Sequence, residues 1–538
     1  MKKIIICLLS IAFSSSAFAQ KWQPDSTALH FPPTDEKSQS TRQVWVKNEG
    51  SEFINIINVK GFKRYGEEPF SVSDTNLVIA PLDSAALTVQ FHPQHNIQYR
   101  QVLVLKSDNG FGHRVITLQG QGTYSKSYYR NTRNKSEQQL KAALKNITGN
   151  NYNSLGYTTA RDRMYGNIDN NNGTVEDVYA GRTANFSTRA GANNKSFNTE
   201  HTFPQGFFNK NEPMRSDIHH LFPCDVTANS RRSNNPFGVV SNPTWQQGGS
   251  KTDGSTFEPR DVHKGDAARA MMYFVIRYRD YSNHFKGQEN ILRQWHRSDS
   301  VSSKEAQRNS DIFSQQKNRN PFVDYPQLER RISSFVSNST APVRYESYLS
   351  DDTLKFIQGT DSFNYQFVVY NNGNQPLSFS NFTLNSPTGG LSFKSGNPGT
   401  LNLSPGQHTI INIHYSSNQS YSNAQLTFVE RQGNTSVNHT LPIVSEGTIG
   451  LREEAKTSKF SIAPNPVDGQ LKIYGEVTAE NIAIYNASGK LILARNLMEN
   501  FGSQSLTVIP VAHLPKGVYQ VVMKHGKGRP EVLSFVKK

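Results

Sequence analysis

Apolar residues follow two different rhythms along this chain. Over 21–124 they alternate with polar ones in short runs, among them Gln43-Val44-Trp45-Val46, Ala86-Leu87-Thr88-Val89-Gln90-Phe91 and Val102-Leu103-Val104-Leu105. Turn residues such as Asp108-Asn109-Gly110 split the runs. A period of two lines one sheet face, so this region predicts an all-β sandwich. Over 136–147 the rhythm changes. Leu140, Ala143, Leu144 and Ile147 recur at helical spacing. A second helix is predicted from Val262 to Tyr278, after Pro259, with Ala267, Met271, Phe274 and Tyr278 as its core stripe. Asp266, Arg269, Tyr273 and Arg277 fall on its more polar side.

Between these helices the chain is dense in Asn, Gly, His and Arg. A polar, irregular stretch inside a helical region is where a site is usually built. Short β runs return over 343–447, for example Tyr365 to Tyr370 before Asn371-Asn372-Gly373, and predict a second sandwich. A third β module is expected over 456–538. The fold class is therefore multidomain: a central α+β domain over 125–340, flanked by all-β sandwiches.

The first residues differ from all of this. Lys2 and Lys3 precede the apolar run Ile4 to Phe13, then three serines, then Ala17-Phe18-Ala19. A positive start, a short apolar core and an A-x-A site predict a secretory signal peptide over 1–19. No later apolar run is long enough to cross a bilayer, so no stable membrane span is expected. The two cysteines are Cys7 and Cys224. Cys7 leaves with the signal, so the mature chain forms no internal disulfide, and Cys224 is expected to be a buried structural thiol. The 538 residues carry a formal net charge of +15. Such a surplus draws polyanions, among them nucleic acid, acidic glycans and membrane surfaces, without choosing between them.

The informative chemistry lies in 196–238. It holds Asn198-Thr199-Glu200-His201-Thr202-Phe203-Pro204, then Arg215-Ser216-Asp217-Ile218-His219-His220-Leu221-Phe222-Pro223, then Asp225 to Gly238. Hydrolysis of a phosphodiester needs a base for water, and an imidazole suits neutral pH. It also needs charge neutralised on phosphate and leaving oxygen, which a hard divalent cation on oxygen ligands supplies. Glu200 offers an anionic oxygen and Asn229 a neutral one. Neighbours on a strand point to opposite faces, so Glu200 and His201 can share a site only at a strand end or bend. Pro204 fits such an interruption. Asp225 is a plausible helix N-cap. Arg232 and Ser233 follow Asn229 on one helix face, where Arg232 would join a cation in clamping a phosphate. A strand with His, a return strand and a helix with Asn make a ββα-metal arrangement.

These motifs closely resemble bacterial endonuclease I, a group of periplasmic or secreted nonspecific nucleases. The matching parts are T-E-H-x-x-P at Thr199–Pro204, D-x-H-H-L-x-P at Asp217–Pro223 and N-x-x-R-S-N at Asn229–Asn234. Flanking blocks match too: Leu155-Gly156-Tyr157, Val178-Tyr179-Ala180-Gly181-Arg182, Phe257-Glu258-Pro259, Lys264 to Arg269 and Asn318 to Asp324. The resemblance implies His201 as general base and Glu200 and Asn229 as ligands of one Mg2+ or similar divalent cation. It also implies 5′-phosphate products, and an arginine that holds the cleaved phosphate. Arg215 is the only arginine between the Glu-His pair and the D-x-H-H block, so it is nominated. Arg231 and Arg232, with His219 and His220, are expected near substrate. The chain departs from many periplasmic members in having no disulfide.

Two further resemblances concern the flanks. The runs of 21–124, ending Ile116-Thr117-Leu118-Gln119-Gly120, are similar to immunoglobulin-like modules of bacterial surface proteins. Ala463-Pro464-Asn465-Pro466, Ile484 to Lys490, Leu514 to Tyr519 and Phe535 to Lys538 resemble the C-terminal sorting domain of the type IX secretion system. That resemblance implies the type IX machinery as a partner, passage through the periplasm, and a secreted or cell-surface location.

The expected function is a secreted, metal-dependent endonuclease acting on DNA, and also RNA, with little sequence preference. No ordered set of base-reading side chains is evident, and phosphate contacts carry no sequence information. Two alternatives stand beside it. One is a secreted ribonuclease on the same scaffold. The other is a surface adhesion protein that binds DNA without cutting it, against which the trio Glu200, His201 and Asn229 argues.

Overall fold

A computed structural model describes residues 22–538 apart from 51–53, 58–66, 74–75, 108–112, 279–281, 358–361, 417, 447–460, 463–465, 475–480, 487–489, 497–505 and 525–530. The expected signal peptide, the Asp108-Asn109-Gly110 turn and parts of the last β module's motifs lie outside the described residues.

Two sheets face each other over 22–123. One orders Trp22–Pro24, Ser40–Asn48, Ser84–Phe91 and Phe70–Val72. The other runs Ala28–His30, His113–Thr123, Gln98–Ser107, Ile54–Ile57 and Asn76–Ile79, with Thr34–Asp35 beside His113–Thr123. The alternation read from sequence sets the faces: Val44 and Val46 point into the core while Trp45 between them is 48% exposed. Val102-Leu103-Val104-Leu105 behaves differently, because all four are buried. Leu103 and Leu105 join the sandwich core. Val102 and Val104 pack outward against Val368 and Tyr370 of the second sandwich. A strand covered on both faces has no solvent side, so its sequence reads as a continuous apolar run. Asp351 closes this contact by accepting from His113 at 2.7 Å and pairing with Lys106 at 3.3 Å.

The second sandwich orders Ser347–Leu349, Ser362–Asn371, His408–Ser416 and Leu391–Phe393 in one sheet. Its other sheet orders Leu354–Ile357, Thr435–Glu446, Ala424–Gln432, Leu377–Asn385 and Leu401–Leu403. Two smaller sheets at 461–537 share a separate core that includes Val467, Ile484, Val521 and Phe535. Among the described residues no helix is long and apolar enough to cross a membrane.

The helical region lies between the two sandwiches in the chain. Helix α1 (Glu137–Gly149) buries Leu140, Ala143, Leu144 and Ile147, as its spacing predicts. Helix α2 (Gly156–Arg163) follows, then strand β1 (Phe197–His201), strand β2 (Leu221–Asp225), helix α3 (Val226–Arg232) and the long helix α4 (Asp261–Arg277). Helix α4 is buried on nearly every side, including the face expected to be polar. Arg269, Tyr273 and Arg277 are all buried. Their polar ends are matched rather than solvated. Arg269 meets Glu305 at 2.6 Å, and Tyr273 donates to Asp217 at 2.7 Å. Arg277 pairs with Asp217 at 3.4 Å. Helix α4 thus carries the apolar core on one side and buried ion pairs on the other.

Phe203, just after β1, stacks on Phe274 of α4 with centroids 4.3 Å apart and planes at 8°. That contact seats the β1 end on the core. Phe274→Ala is expected to cost about 3–5 kcal/mol, as deletion of a buried aromatic does. Denaturant titration followed by near-UV circular dichroism measures it; a loss under about 1 kcal/mol would show that the β1 end is held elsewhere.

Candidate active site

Strands β1 and β2 pair antiparallel, with Phe197 opposite Asp225, Glu200 opposite Phe222 and His201 opposite Leu221. His201 is the last residue of β1. The chain leaves the ladder just past it, after Thr202 N donates to the His220 carbonyl, and Pro204 lies three residues beyond His201, so Glu200 and His201 escape the strict alternation of a strand interior. Helix α3 starts directly from β2. Asp225 is its N-cap, accepting from Thr227 N at 2.8 Å and Ala228 N at 3.1 Å. Its other carboxylate oxygen pairs with Arg182 at 2.9 Å. These contacts satisfy first-turn N–H groups that a helix leaves open.

Glu200 is 2% exposed. Its Oε1 accepts from Tyr179 Oη at 2.8 Å and lies 2.9 Å from Arg232 Nε. Burial raises the carboxyl above its usual range, and the Arg232 charge and the Tyr179 hydroxyl oppose that rise. No hydrogen bond from the described residues engages Oε2. Glu200 therefore keeps one oxygen for another partner.

His201 is 6% exposed. Its Nε2 lies 3.2 Å from the Arg215 carbonyl oxygen. A carbonyl only accepts, so Nε2 carries the hydrogen and the neutral ring keeps its lone pair on Nδ1. Burial, joined by His220 and the Arg215 and Arg161 charges, holds the ring well below the usual imidazole value. His201 is thus neutral at pH 7 and free to take a proton. Its ring sits 5.4 Å from Tyr157 and 5.5 Å from His220, centroid to centroid. The Arg215 guanidinium stacks 4.2 Å over Tyr157, and its Nε has no hydrogen-bond partner. One residue therefore orients His201 through its main chain and sets a free cation beside it through its side chain.

Asn229 is half-buried on α3, and no hydrogen bond among the described residues engages its amide. It lies one turn before Arg232, the residue that reaches Glu200, on the same helix face. An acidic oxygen and an amide oxygen, both uncommitted, fit a hard divalent cation that keeps water and takes phosphate as further ligands. Among the described residues no group of three or more His, Cys, Asp or Glu side chains could hold a metal ion.

The other expected substrate contacts divide. Arg231 is exposed at the end of α3. Arg232, expected on a phosphate, is 1% exposed. Besides Glu200 it serves the carbonyls of Thr202, Ser233 and Asn235. It cannot reach a substrate, because the buried Glu200 beside it needs a countercharge. His219 and His220 are buried as well. Each Nε2 meets a carbonyl, of Asn318 at 3.1 Å and of Met214 at 2.7 Å, and burial pulls both rings down to about 4. They pack and orient rather than bind. Cys224 is buried, as expected. Arg319 pairs with Asp324 at 2.8 Å and fixes the edge of the helical region.

Residues 136–327 match the family model described as Endonuclease I. An extracellular ribonuclease of Bacillus amyloliquefaciens is 30% identical over 223 residues, covering 38% of this chain and 76% of that protein. The chain belongs to the endonuclease I family. It is a nuclease. The extracellular ribonuclease of Bacillus subtilis (strain 168) is 29% identical over 223 residues, covering 37% of this chain and 76% of that protein. Residues 461–537 match the secretion system C-terminal sorting domain, and 23–121 match an Ig-like domain of the HYDIN/CFA65/VesB-like type. The endonuclease I region is therefore flanked by an immunoglobulin-like sandwich and, at the far end, a sorting tail, as the motif order implied.

Sequence reasoning missed the supports of this endonuclease I site. In the sequence Tyr179 stands out only as part of a matching block, and Asp177 carries no signal. Asp177 binds that block to the strand: it accepts from Tyr179 N at 3.0 Å, Ala180 N at 2.7 Å and Asp225 N at 2.8 Å. The block then presents the Tyr179 hydroxyl to Glu200. A buried phenol with a fixed partner leaves no periodic trace in a sequence. Arg232→Met tests the support that matters most. It removes the countercharge from Glu200 and should cost about 3–5 kcal/mol, as breaking a buried ion pair does. Thermal unfolding measures this; an unchanged midpoint would mean Glu200 needs no cation from the chain.

Proposed function

We propose that this protein is an exported, divalent-cation-dependent endonuclease that hydrolyses phosphodiesters of DNA and RNA with little sequence preference. One observation carries it: a neutral, buried imidazole with its lone pair on Nδ1 stands beside an uncommitted guanidinium and adjoins a carboxylate with one oxygen free. His201 takes the proton of the attacking water at Nδ1 while its Nε2–H stays on the Arg215 carbonyl. Arg215 holds the charge of the phosphate being cut. Glu200 and Asn229 are the residues that would hold the cation. When bound, Mg2+ or a similar ion supplies electrostatic stabilisation of the phosphate and the departing oxygen. The Arg232 and Tyr179 contacts keep Glu200 in place for that task. The products carry 5′-phosphates, in line with the family resemblance.

The basic surplus of the chain supports general phosphate contacts rather than base reading. The sorting tail and the names of the relatives support a secreted or surface-bound enzyme. We place its parts as a signal peptide over 1–19, sandwiches over 21–124 and 343–447, the nuclease over 125–340 and the sorting domain over 456–538. A second reading is favoured by the two relatives, both named extracellular ribonucleases: RNA as the main substrate. Rates on matched duplex DNA and RNA separate the two.

Plasmid and total RNA should be degraded with Mg2+ and spared with EDTA. His201→Ala should lower kcat by about 10²–10⁴-fold, the usual share of a general base. Asn229→Ala should raise the Mg2+ concentration needed for half-maximal rate without moving the thermal midpoint. Cleavage that persists at full rate in His201→Ala would remove that residue from the chemistry.

The pH profile follows from the buried base. A base held below the usual imidazole value stays unprotonated on mild acidification, so kcat/KM should begin to fall only at a pH below the ordinary imidazole range. As pH falls further, protonation of His201 removes the base and activity is lost. A midpoint above 7 in the kcat/KM profile would contradict the environment of His201.

A further inference from the structure

Several arginines of the nuclease region are committed to carboxylates. Arg182, Arg189, Arg232, Arg260, Arg269 and Arg308 each meet a carboxylate. Arg161 does not. Among the described residues it enters no ion pair, and its Nε is buried without a hydrogen-bond partner. It lies on α2 one turn after Tyr157 and stacks on that ring at 4.3 Å. The same ring carries Arg215 at 4.2 Å and stands 5.4 Å from His201. Two guanidiniums are thus pinned to one phenol ring beside the general base, with no carboxylate to neutralise either.

Like charges held close repel, and an unused buried N–H costs free energy. Of the arginines whose buried Nε makes no hydrogen bond, Arg232 and Arg277 have a carboxylate beside them, Glu200 and Asp217, whereas Arg161 and Arg215 have none among the described residues. Stacking on an aromatic face fixes the plane of each guanidinium and leaves its N–H fork for an oxyanion. A nucleic-acid strand presents phosphates in series, so two adjacent cations suit two of them.

From this we infer that Arg161 is a substrate-binding residue that grips a phosphodiester flanking the one Arg215 holds at the cut. Tyr157 is the platform that sets the spacing between the two grips. The inference rests on the proposed nuclease site. Arg161 touches substrate but not the reacting atoms, so its contribution is the same in ground and transition states. It should therefore act on KM and affinity and leave kcat little changed.

The test uses the full chain. With His201→Ala in EDTA, anisotropy of a short fluorescein-labelled DNA duplex gives affinity as a function of NaCl. Each phosphate contact contributes about 0.9 to the slope of log K against log salt. Adding Arg161→Ala should reduce that slope by about 0.9, whereas Arg161→Lys, which keeps the charge, should retain it. Arg344→Ala changes net charge equally outside the nuclease region and should leave the slope alone. On the active enzyme, Arg161→Ala should raise KM with kcat little changed, while Arg215→Ala lowers kcat. An unchanged slope in Arg161→Ala, or equal loss in Arg161→Ala and Arg161→Lys, overturns the grip and leaves only a stack. A kcat loss matching that of Arg215→Ala overturns the flanking position. If the His201→Ala parent shows no salt-dependent binding, the nuclease reading fails with it. Binding by the parent alongside an unchanged Arg161→Ala slope sinks this inference alone.

Discussion

The ion pair between Glu200 and Arg232 holds this site together. It joins the last turn of a short helix to the penultimate residue of a strand, and both side chains are out of water. Taking two charges from water costs several kcal/mol each, and their attraction repays this only when geometry and further hydrogen bonds are good. The additional bonds are present. Tyr179 donates to the carboxylate, and three main-chain carbonyls take the guanidinium. The result is a carboxylate fixed through one oxygen, with the other left over. A looser glutamate on a solvated strand could bind a cation only after its own rotamers were frozen.

The same economy governs the histidines. Three imidazoles, His201, His219 and His220, lie on the two paired strands or just before them, and each Nε2 meets a carbonyl. Burial discharges all three. What distinguishes His201 is its position at a strand end beside a ring that carries two free guanidiniums, whereas His219 and His220 turn into the core against Tyr273 and Phe274. Chemical type is shared; location decides which ring sits at the strand end and which are sealed against the core. Cations follow the same rule, since Arg232, Arg269 and Arg277 neutralise buried carboxylates while Arg161 and Arg215 meet none among the described residues.

The flanking sandwiches bear on the site through contact rather than chemistry. Arg331, buried near the end of the helical region, donates to Asn96 at 2.7 Å and to the Thr132 carbonyl at 2.9 Å. The first sandwich in turn packs on the second through Val102, Val104 and Val368 and the Asp351 pairs. The nuclease region is braced by a neighbour that is itself braced.

How far the sequence reached follows from what kind of information it holds. Period two and period 3.6 fixed strands and helices because side-chain direction repeats with the backbone, so Val44, Val46, Leu140 and Leu144 were legible as core. Local chemistry was legible too: Asp225 as a cap needs only the next three residues. The ordered motifs around Glu200, His201 and Asn229 named the family, since reaction chemistry restricts residue type at each step. Partnerships across the fold were not legible. That Arg232 faces Glu200 rather than a phosphate, that His219 and His220 are sealed, that Tyr179 and Asp177 brace the strand, and that Val102 and Val104 meet a second sandwich depend on contacts between distant segments. Such contacts are set by close packing and by the need to match every buried charge, and neither leaves a period in the chain.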